Sequence, residues 1–289
     1  MIQGTRTRRA ITSLGFASLL AVTAVGCSTS SAPDVAPTGV VESPSADPAV
    51  TDSYGDVIAL REVTDAGGTY TQTTINPDAA ALQFDAASVD ISARDAGFTD
   101  AQLESAQKWV VTFVAEEQAD SISVDSTPGW DEWQRDNVAK YLLPSYVDML
   151  LAPAEDNGDR TGLIYNNPND SVPPLVRDGK PRLSSTTITV SEVSGGADPA
   201  GSYVWVGGKT AVEYRVSDQE AQKFAQTQNP GLSAEELQSR LPALYDGDIN
   251  PYSVNMEWGY AVLPAGDSWQ IGGYNNQTRS PGFLEALEG

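Results

Sequence analysis

The sequence predicts an α+β fold in which N-terminal amphipathic helices pack on a curved antiparallel sheet, and three observations carry that expectation. A capping box at Thr99-Asp100-Ala101-Gln102 opens a stretch with apolar residues at helical spacing. From Thr186 onward the apolar period changes to two, the mark of half-buried strands. Two further cap sequences, Ser217-Asp218-Gln219-Glu220 and Ser233-Ala234-Glu235-Glu236, interrupt the strands with a helical insertion over residues 217–246.

Taken in order, residues 1–26 read as an export leader. Arg6, Arg8 and Arg9 precede an apolar run from Ile11 to Val25 that is short for a membrane span. The run ends in Ala24-Val25-Gly26-Cys27, and together with the basic start this resembles the lipobox of bacterial lipoproteins. The resemblance implies cleavage before Cys27 and a diacylglycerol on its sulfur, so that Cys27 is the lipid attachment site and the membrane is reached through that anchor. Two acyl chains hold stably where one exchanges, at roughly 0.8 kcal/mol per buried methylene. Thr7-Arg8-Arg9-Ala10-Ile11 also resembles a twin-arginine export motif, which leaves the export route open. Residues 27–53, rich in Ser, Ala, Pro and Asp without apolar period, have linker composition. As a coil they span roughly 30 Å, and as polyproline II at most about 80 Å.

Residues 54–98 read as a β-rich arm, with Asp56–Leu60 and Thr69–Ile75 as strand-prone runs about Gly67-Gly68. Whether the arm is a separate module or lies on the main domain, 99–289, is open at this level. In that domain the first helix runs from Thr99 to about Ala119, with Leu103, Ala106, Val110, Phe113 and Val114 on its apolar face. A second is expected from Pro128, carrying Trp130, Trp133, Val138, Tyr141 and Leu142, kinked or restarted at Pro144 and continued over Tyr146–Leu151. Strands are expected at Thr186–Val193, Tyr203–Val206, Thr210–Val216, Ser253–Leu263 and Ser268–Tyr274, with Gly207-Gly208 as a tight hairpin between the second and third. In Ser253–Leu263 one face is Val254, Met256, Trp258, Tyr260 and Val262, and the other holds Asn255 and Glu257. The ending Met256–Val262 followed by Asp267-Ser268-Trp269-Gln270-Ile271 resembles the last hairpin of NTF2-like (cystatin-like) domains. That resemblance implies a cone-shaped sheet whose mouth is a pocket, a dimer face or neither.

Composition excludes much chemistry. With 17 Lys+Arg against 39 Asp+Glu the formal charge is −22, which argues against a nucleic-acid surface. Loss of the leader removes three arginines and no acid, leaving an acidic body that anionic headgroups repel. There is no histidine, so Ser-His-Asp and Cys-His catalysis and His-ligated zinc are out. The single cysteine allows no internal disulfide and no thiolate cluster.

Several fragments invite a chemical reading. Ser105-Ala106-Gln107-Lys108 matches the SxxK of penicillin-interacting enzymes, but it lies within a helix, and Ala211 follows Lys209-Thr210 where that family has Gly. Asp246, Asp248, Asn250 and Glu257 have the spacing of an EF-hand-like calcium loop, with Pro251 where its sharp turn needs Gly, so no tight metal site and no cofactor are expected. The acid pairs Glu116-Glu117 and Asp131-Glu132 serve glycoside hydrolysis only if two carboxylates face each other across a cleft. Trp133, Tyr141, Trp205, Trp258 and Trp269 are candidates for an apolar or sugar pocket, or else for core. The leading expectation is an extracytoplasmic, lipid-anchored protein whose acidic domain binds an envelope protein or a small ligand without catalysis. A carboxylate-based hydrolase of wall or sugar material and a structural accessory subunit of an envelope complex are the alternatives.

Overall fold

The computed structural model describes residues 57–65, 68–120, 138–147, 173, 182–245, 247, 249–279 and 283–284. All lie in one compact unit, Ser45–Gly289. It is an α+β structure with an antiparallel sheet and few helices. Cys27, Trp130, Asp131, Glu132, Trp133, Asp246 and Asp248 lie outside the described residues. No helix among the described residues is long and apolar enough to cross a membrane.

The arm begins with β1 (Val57–Asp65) and β2 (Gly68–Ile75), an antiparallel hairpin. A 3-10 turn at Ala80–Leu82 and a short helix, α1 (Ile91–Asp95), follow. Asp90 caps α1 by accepting from the Ser92 N–H at 2.8 Å, a stop-and-start signal that a strand reading of this segment passes over. The arm lies on the domain. The Gln107 amide donates to the Ala81 and Gln83 carbonyls at 3.0 and 3.1 Å, and the Asp90 N–H to Val193 at 2.9 Å.

The helix that covers the sheet is α2 (Asp100–Phe113). Its capping box forms as the sequence predicts, the Thr99 side chain accepting from the Gln102 N–H and the Gln102 side chain from the Thr99 N–H. Leu103, Ala106, Val110 and Val111 are fully buried against the sheet. Beyond Phe113 the helix widens into a π-turn, Val114–Gln118, closed by the Ala119 N–H on the Val114 carbonyl at 2.9 Å. This turn delivers Asp120 into the interior. The Asp120 carboxylate accepts from the Thr73 N–H and hydroxyl, both at 2.7 Å, and from Arg182 Nε and Nη2 at 3.0 and 2.7 Å. Both charged side chains are buried, at 0 and 1% exposure, and a pair so placed survives only because each lone pair and proton has a partner.

The second helix does not continue through Val138–Leu142 as expected. The chain there forms two 3-10 turns, Ala139–Tyr141 and Pro144–Tyr146. Pro144 disfavours the helical conformation at Leu143, whose φ of −58° and ψ of 133° are extended. Leu142 instead bridges Ile271 and the Leu143 N–H donates to the Ile271 carbonyl at 3.0 Å, so sheet pairing replaces the helix.

The main sheet has the order β3 (Leu183–Asp198), β4 (Gly201–Ser217), β5 (Ile249–Ala265) and β6 (Ser268–Tyr274), with β7 (Gln277–Arg279) also on β5. Gly207 and Gly208 do not turn the chain. They sit in the middle of β4, opposite Glu192 and Val190 on one side and Gly259 and Trp258 on the other. The hairpin lies earlier, at Pro199-Ala200, where the Asp198 carboxylate accepts from the Ala200 and Gly201 N–H groups and Gly201 takes φ +139°. Two expected strands are therefore one strand of 17 residues. Between β4 and β5 stand α3 (Asp218–Gln228), capped by Ser217, and α4 (Ala234–Arg240), whose Ser233–Glu236 capping box is complete.

The alternation expected for β5 holds: Val254, Met256, Trp258, Tyr260 and Val262 are buried while Asn255 is exposed. With Val204, Val206, Val212 and Tyr214 of β4 they form the inner face under α2. Phe113 of α2 meets the Tyr260 ring edge-on at 5.3 Å and Trp258 lies 6.3 Å from Tyr260, so the described inner face is filled with rings.

Candidate functional site

The two glycines of β4 explain themselves through the tryptophans beside them. On the inner face a Cβ at Gly208 would stand 2.4 Å from Cζ2 of Trp258 and 2.3 Å from the Thr189 carbonyl oxygen. On the outer face Gly207 and Gly259 are directly paired, and a Cβ at Gly259 would stand 2.1 Å from Cζ2 of Trp205. Gly207 is less closely approached by that indole, with a Cβ position 3.3 Å from Trp205 Nε1. A strand-interior glycine costs backbone entropy and is kept where another group must approach the backbone. Here each makes room for an indole on a different face.

Trp258 is 4% exposed and donates its indole N–H to the Thr210 hydroxyl at 2.9 Å. Trp205 is half-buried and borders a cleft of about 210 Å³ on the outer face. Gly207 lines this cleft, and its partner Gly259 lies against the Trp205 ring. Lys209 and Glu257, opposite one another in the next outward-facing row, form its lower wall with an ion pair of 3.2 Å. β3 supplies Ser191 and Glu192 from a bulge between Val190 and Glu192, the extra residue turning both toward the cleft. The Ser191 hydroxyl donates to the Gly207 carbonyl at 3.3 Å, and the Ser194 hydroxyl to the Glu192 carboxylate at 2.8 Å. The far end is made where β6 gives way to β7. Asn275 and Gln277 line it, the Asn275 N–H donates to the Gly259 carbonyl at 2.8 Å, and Asn276 Oδ1 accepts from the Gly259 N–H at 3.2 Å.

Of the aromatic candidates read from the sequence, the cleft takes Trp205; Trp258 borders it from its place in β5, but its indole is buried on the inner face. Trp269 is core: it is 7% exposed, packs on Phe98 at 6.1 Å and donates to the Ser105 hydroxyl at 3.1 Å. Tyr141 packs edge-on against Phe113 at 5.1 Å, and its hydroxyl donates to Glu117 at 2.5 Å. Trp133 lies outside the described residues. Ser191, Glu192, Asn275 and Gln277 were not singled out by the sequence, and Lys209 only as part of a catalytic fragment. Their signal was a glycine inside an alternating strand with a tryptophan one register row away.

The acid pair Glu116-Glu117 does not face across a cleft. Both carboxylates sit on the π-turn and share one guanidinium, Arg61 of β1, at 2.8 and 3.9 Å. Arg61 also donates to Gln72, whose amide in turn reaches the Glu116 carbonyl. Burial pushes the Glu116 carboxyl above its ordinary range, Arg61 opposes this, and Glu117 adds to it. The Tyr141 hydroxyl is pushed far up by burial and by Glu117. This cluster fastens the hairpin to α2. Ser105 and Lys108 are not paired as a catalytic couple, since Lys108 binds Glu104 at 2.6 Å. Asn250 and Glu257 both lie in β5, where seven extended residues span about 23 Å, so a twelve-residue calcium loop cannot close. Groups of three or more acids or cysteines placed to hold a metal are absent among the described residues.

Fold and cleft together define an acidic α+β domain with a filled interior and a tryptophan-lined depression on the outer face of its sheet. Compared with protein-family models, curated proteins and solved structures, the chain matches none.

Proposed function

We propose that this is an extracytoplasmic lipoprotein, held to the membrane through Cys27 and an acidic linker, whose α+β domain works by binding a small ligand at the outer-face cleft. The observation that carries this reading is Trp205: a large apolar ring kept half-buried over a glycine pair and bordered by charged and amide groups. One aromatic ring among several polar side chains is a lining that suits a small polar ligand, in contrast to the mostly apolar pockets that take drug-like molecules. In the same reading the sheet is the wall of an NTF2-like cone, closed on its concave side by the rings around Phe113, Trp258 and Tyr260, so the outer face takes over the role of the mouth.

Two experiments test this. Cys27→Ser should shift the protein from the detergent phase to a soluble or uncleaved form, and unchanged partitioning with a mature N-terminus other than residue 27 ends the lipoprotein reading. Trp205→Ala should abolish ligand capture from envelope extracts while the thermal transition stays within a few degrees of wild type. If capture persists in that variant, the cleft is not the site.

A hydrolase reading is favoured by one observation, that Glu192 and Glu257 both border the cleft. Turnover of a glycoside panel, lost in Glu257→Gln with Trp205 intact, would replace binding by catalysis.

A further inference from the structure

We infer that the outer-face cleft recognises a neutral pyranose ring, one unit of a saccharide; this rests on the binding reading above and names its ligand class. Size comes first. At about 210 Å³ the cleft is smaller than the roughly 300–1,000 Å³ pockets that enclose a drug-sized molecule, so it takes one ring and leaves the rest of a longer chain in solvent. Being open on the sheet surface, it puts no end wall in the way of such a chain.

The lining chemistry selects within that size. The half-buried indole of Trp205 gives an otherwise polar cleft its aromatic surface, with a polar edge, which matches the C–H face of a sugar ring. Around it donors and acceptors alternate: the Lys209 ammonium, the Glu192 and Glu257 carboxylates, and the side-chain amides of Asn275 and Gln277. Hydroxyls both donate and accept, so a ring that carries several of them around its edge can answer these groups. A purely apolar ligand would leave them desolvated without partners, at a cost of about 1–3 kcal/mol each.

Charge disfavours an anion, and the Lys209–Glu257 pair occupies the carboxylate a cation would use there, leaving Glu192 as the one a charged probe must test. An anionic ligand meets two carboxylates against one ammonium, on a chain of formal charge −22. A cation would have to displace or sit beside Lys209, which already holds Glu257 at 3.2 Å. A neutral polyol leaves that ion pair in place and bonds to its outer edge, where Lys209 is 68% and Glu257 44% exposed. The bulge at Ser191 and the break between β6 and β7 add to this fit, since each brings polar side chains level with the indole from opposite ends of the row Glu192, Gly207, Gly259, Asn275.

The test is tryptophan fluorescence and calorimetry on the intact protein in detergent. The probes are the neutral tetrasaccharides of glucose, xylose, mannose and N-acetylglucosamine, with tetramethylammonium and glucuronate as charged probes. At least one neutral tetrasaccharide should give saturable binding, weakened about tenfold or more by Trp205→Ala, the scale of one lost aromatic contact. Glu192→Gln and Asn275→Ala change exposed rim side chains that no core contact depends on, and each should weaken the same binding if Trp205→Ala fails to fold. Trp205-dependent binding of tetramethylammonium or glucuronate without any saccharide would overturn this inference and leave the cleft standing as a site. Binding of none of the probes overturns the saccharide assignment. If, besides, the Trp205 variant still captures its ligand from envelope extracts, the binding reading falls as well.

Discussion

The β4–β5 pair carries the same device on both of its faces, an indole pressed against a glycine of the strand beside it, and the two copies differ in what surrounds them. Inside, Trp258 lies over Gly208, gives its N–H to Thr210, and is buried beside the ring of Tyr260, which in turn meets Phe113 of α2. Outside, Trp205 lies over Gly259 and faces a polar cleft. The inner copy spends its apolar area on folding. The outer copy leaves part of it open beside charged and amide side chains, which is the arrangement the proposed ligand site rests on. The difference separates a packing glycine from a site glycine, although both stand mid-strand beside a tryptophan.

The largest expected effect is on the inner copy. Trp258→Ala removes a buried ring and should cost about 3–5 kcal/mol in urea denaturation, with the cleft losing its shape as the sheet loosens. Gly208→Ala comes next: its new methyl meets a backbone carbonyl as well as the indole, so neither can retreat cheaply, and a loss of about 1–3 kcal/mol is expected. Gly259→Ala sharpens the contrast. The three atoms nearest its methyl all belong to the half-exposed Trp205 ring and none to the backbone, so the ring is expected to give way outward, with stability falling by less than about 1 kcal/mol while ligand binding is lost. Equal destabilisation by Gly208→Ala and Gly259→Ala would erase the distinction between the faces.

The smallest effect concerns the helix layer that makes the inner face an inner one. Glu116, which fastens β1 to the end of α2, has a folded-state carboxyl held above its ordinary value of 4.5, chiefly by burial. The folded chain therefore holds its proton to higher pH than the unfolded chain. The contribution is fully present at and below the ordinary value and is lost as pH rises through the folded one. Urea midpoints should accordingly rise on mild acidification from neutral pH, and Glu116→Gln should flatten that part of the profile. A profile identical in the two proteins would remove Glu116 from the account.

Elements governed by local chemistry were legible in the sequence. The Thr99 and Ser233 capping boxes, and the burial alternation from Val254 to Val262, follow from neighbours within four residues or from period alone. What misled was the glycine pair. Gly-Gly between two alternating runs has the composition of a hairpin, and only the packing of Trp258, remote in sequence from Gly208, and of Trp205, on the same strand as Gly207, shows that these glycines are spaces and not turns. The real turn was written in Asp198-Pro199-Ala200-Gly201. The helix expected through Leu142 failed for a similar reason, because the competing partner, Ile271, is remote in sequence. As for the cleft, its indole could be named in advance, but the rim comes from β3, β4, β5 and the β6–β7 step, and register decides which side chains meet there.

Asp120 imposes an order on how the molecule assembles. Its partners lie 47 residues before it and 62 after it, and a buried carboxylate without its guanidinium is strongly unfavourable. The hairpin β1–β2 can pair locally as soon as it exists, yet it cannot dock on the end of α2 until Arg182 arrives at the head of β3. A chain that emerges N-terminus first therefore keeps its leading segment undocked until the sheet begins to form, and closure of the helix layer and nucleation of the sheet become a single late event.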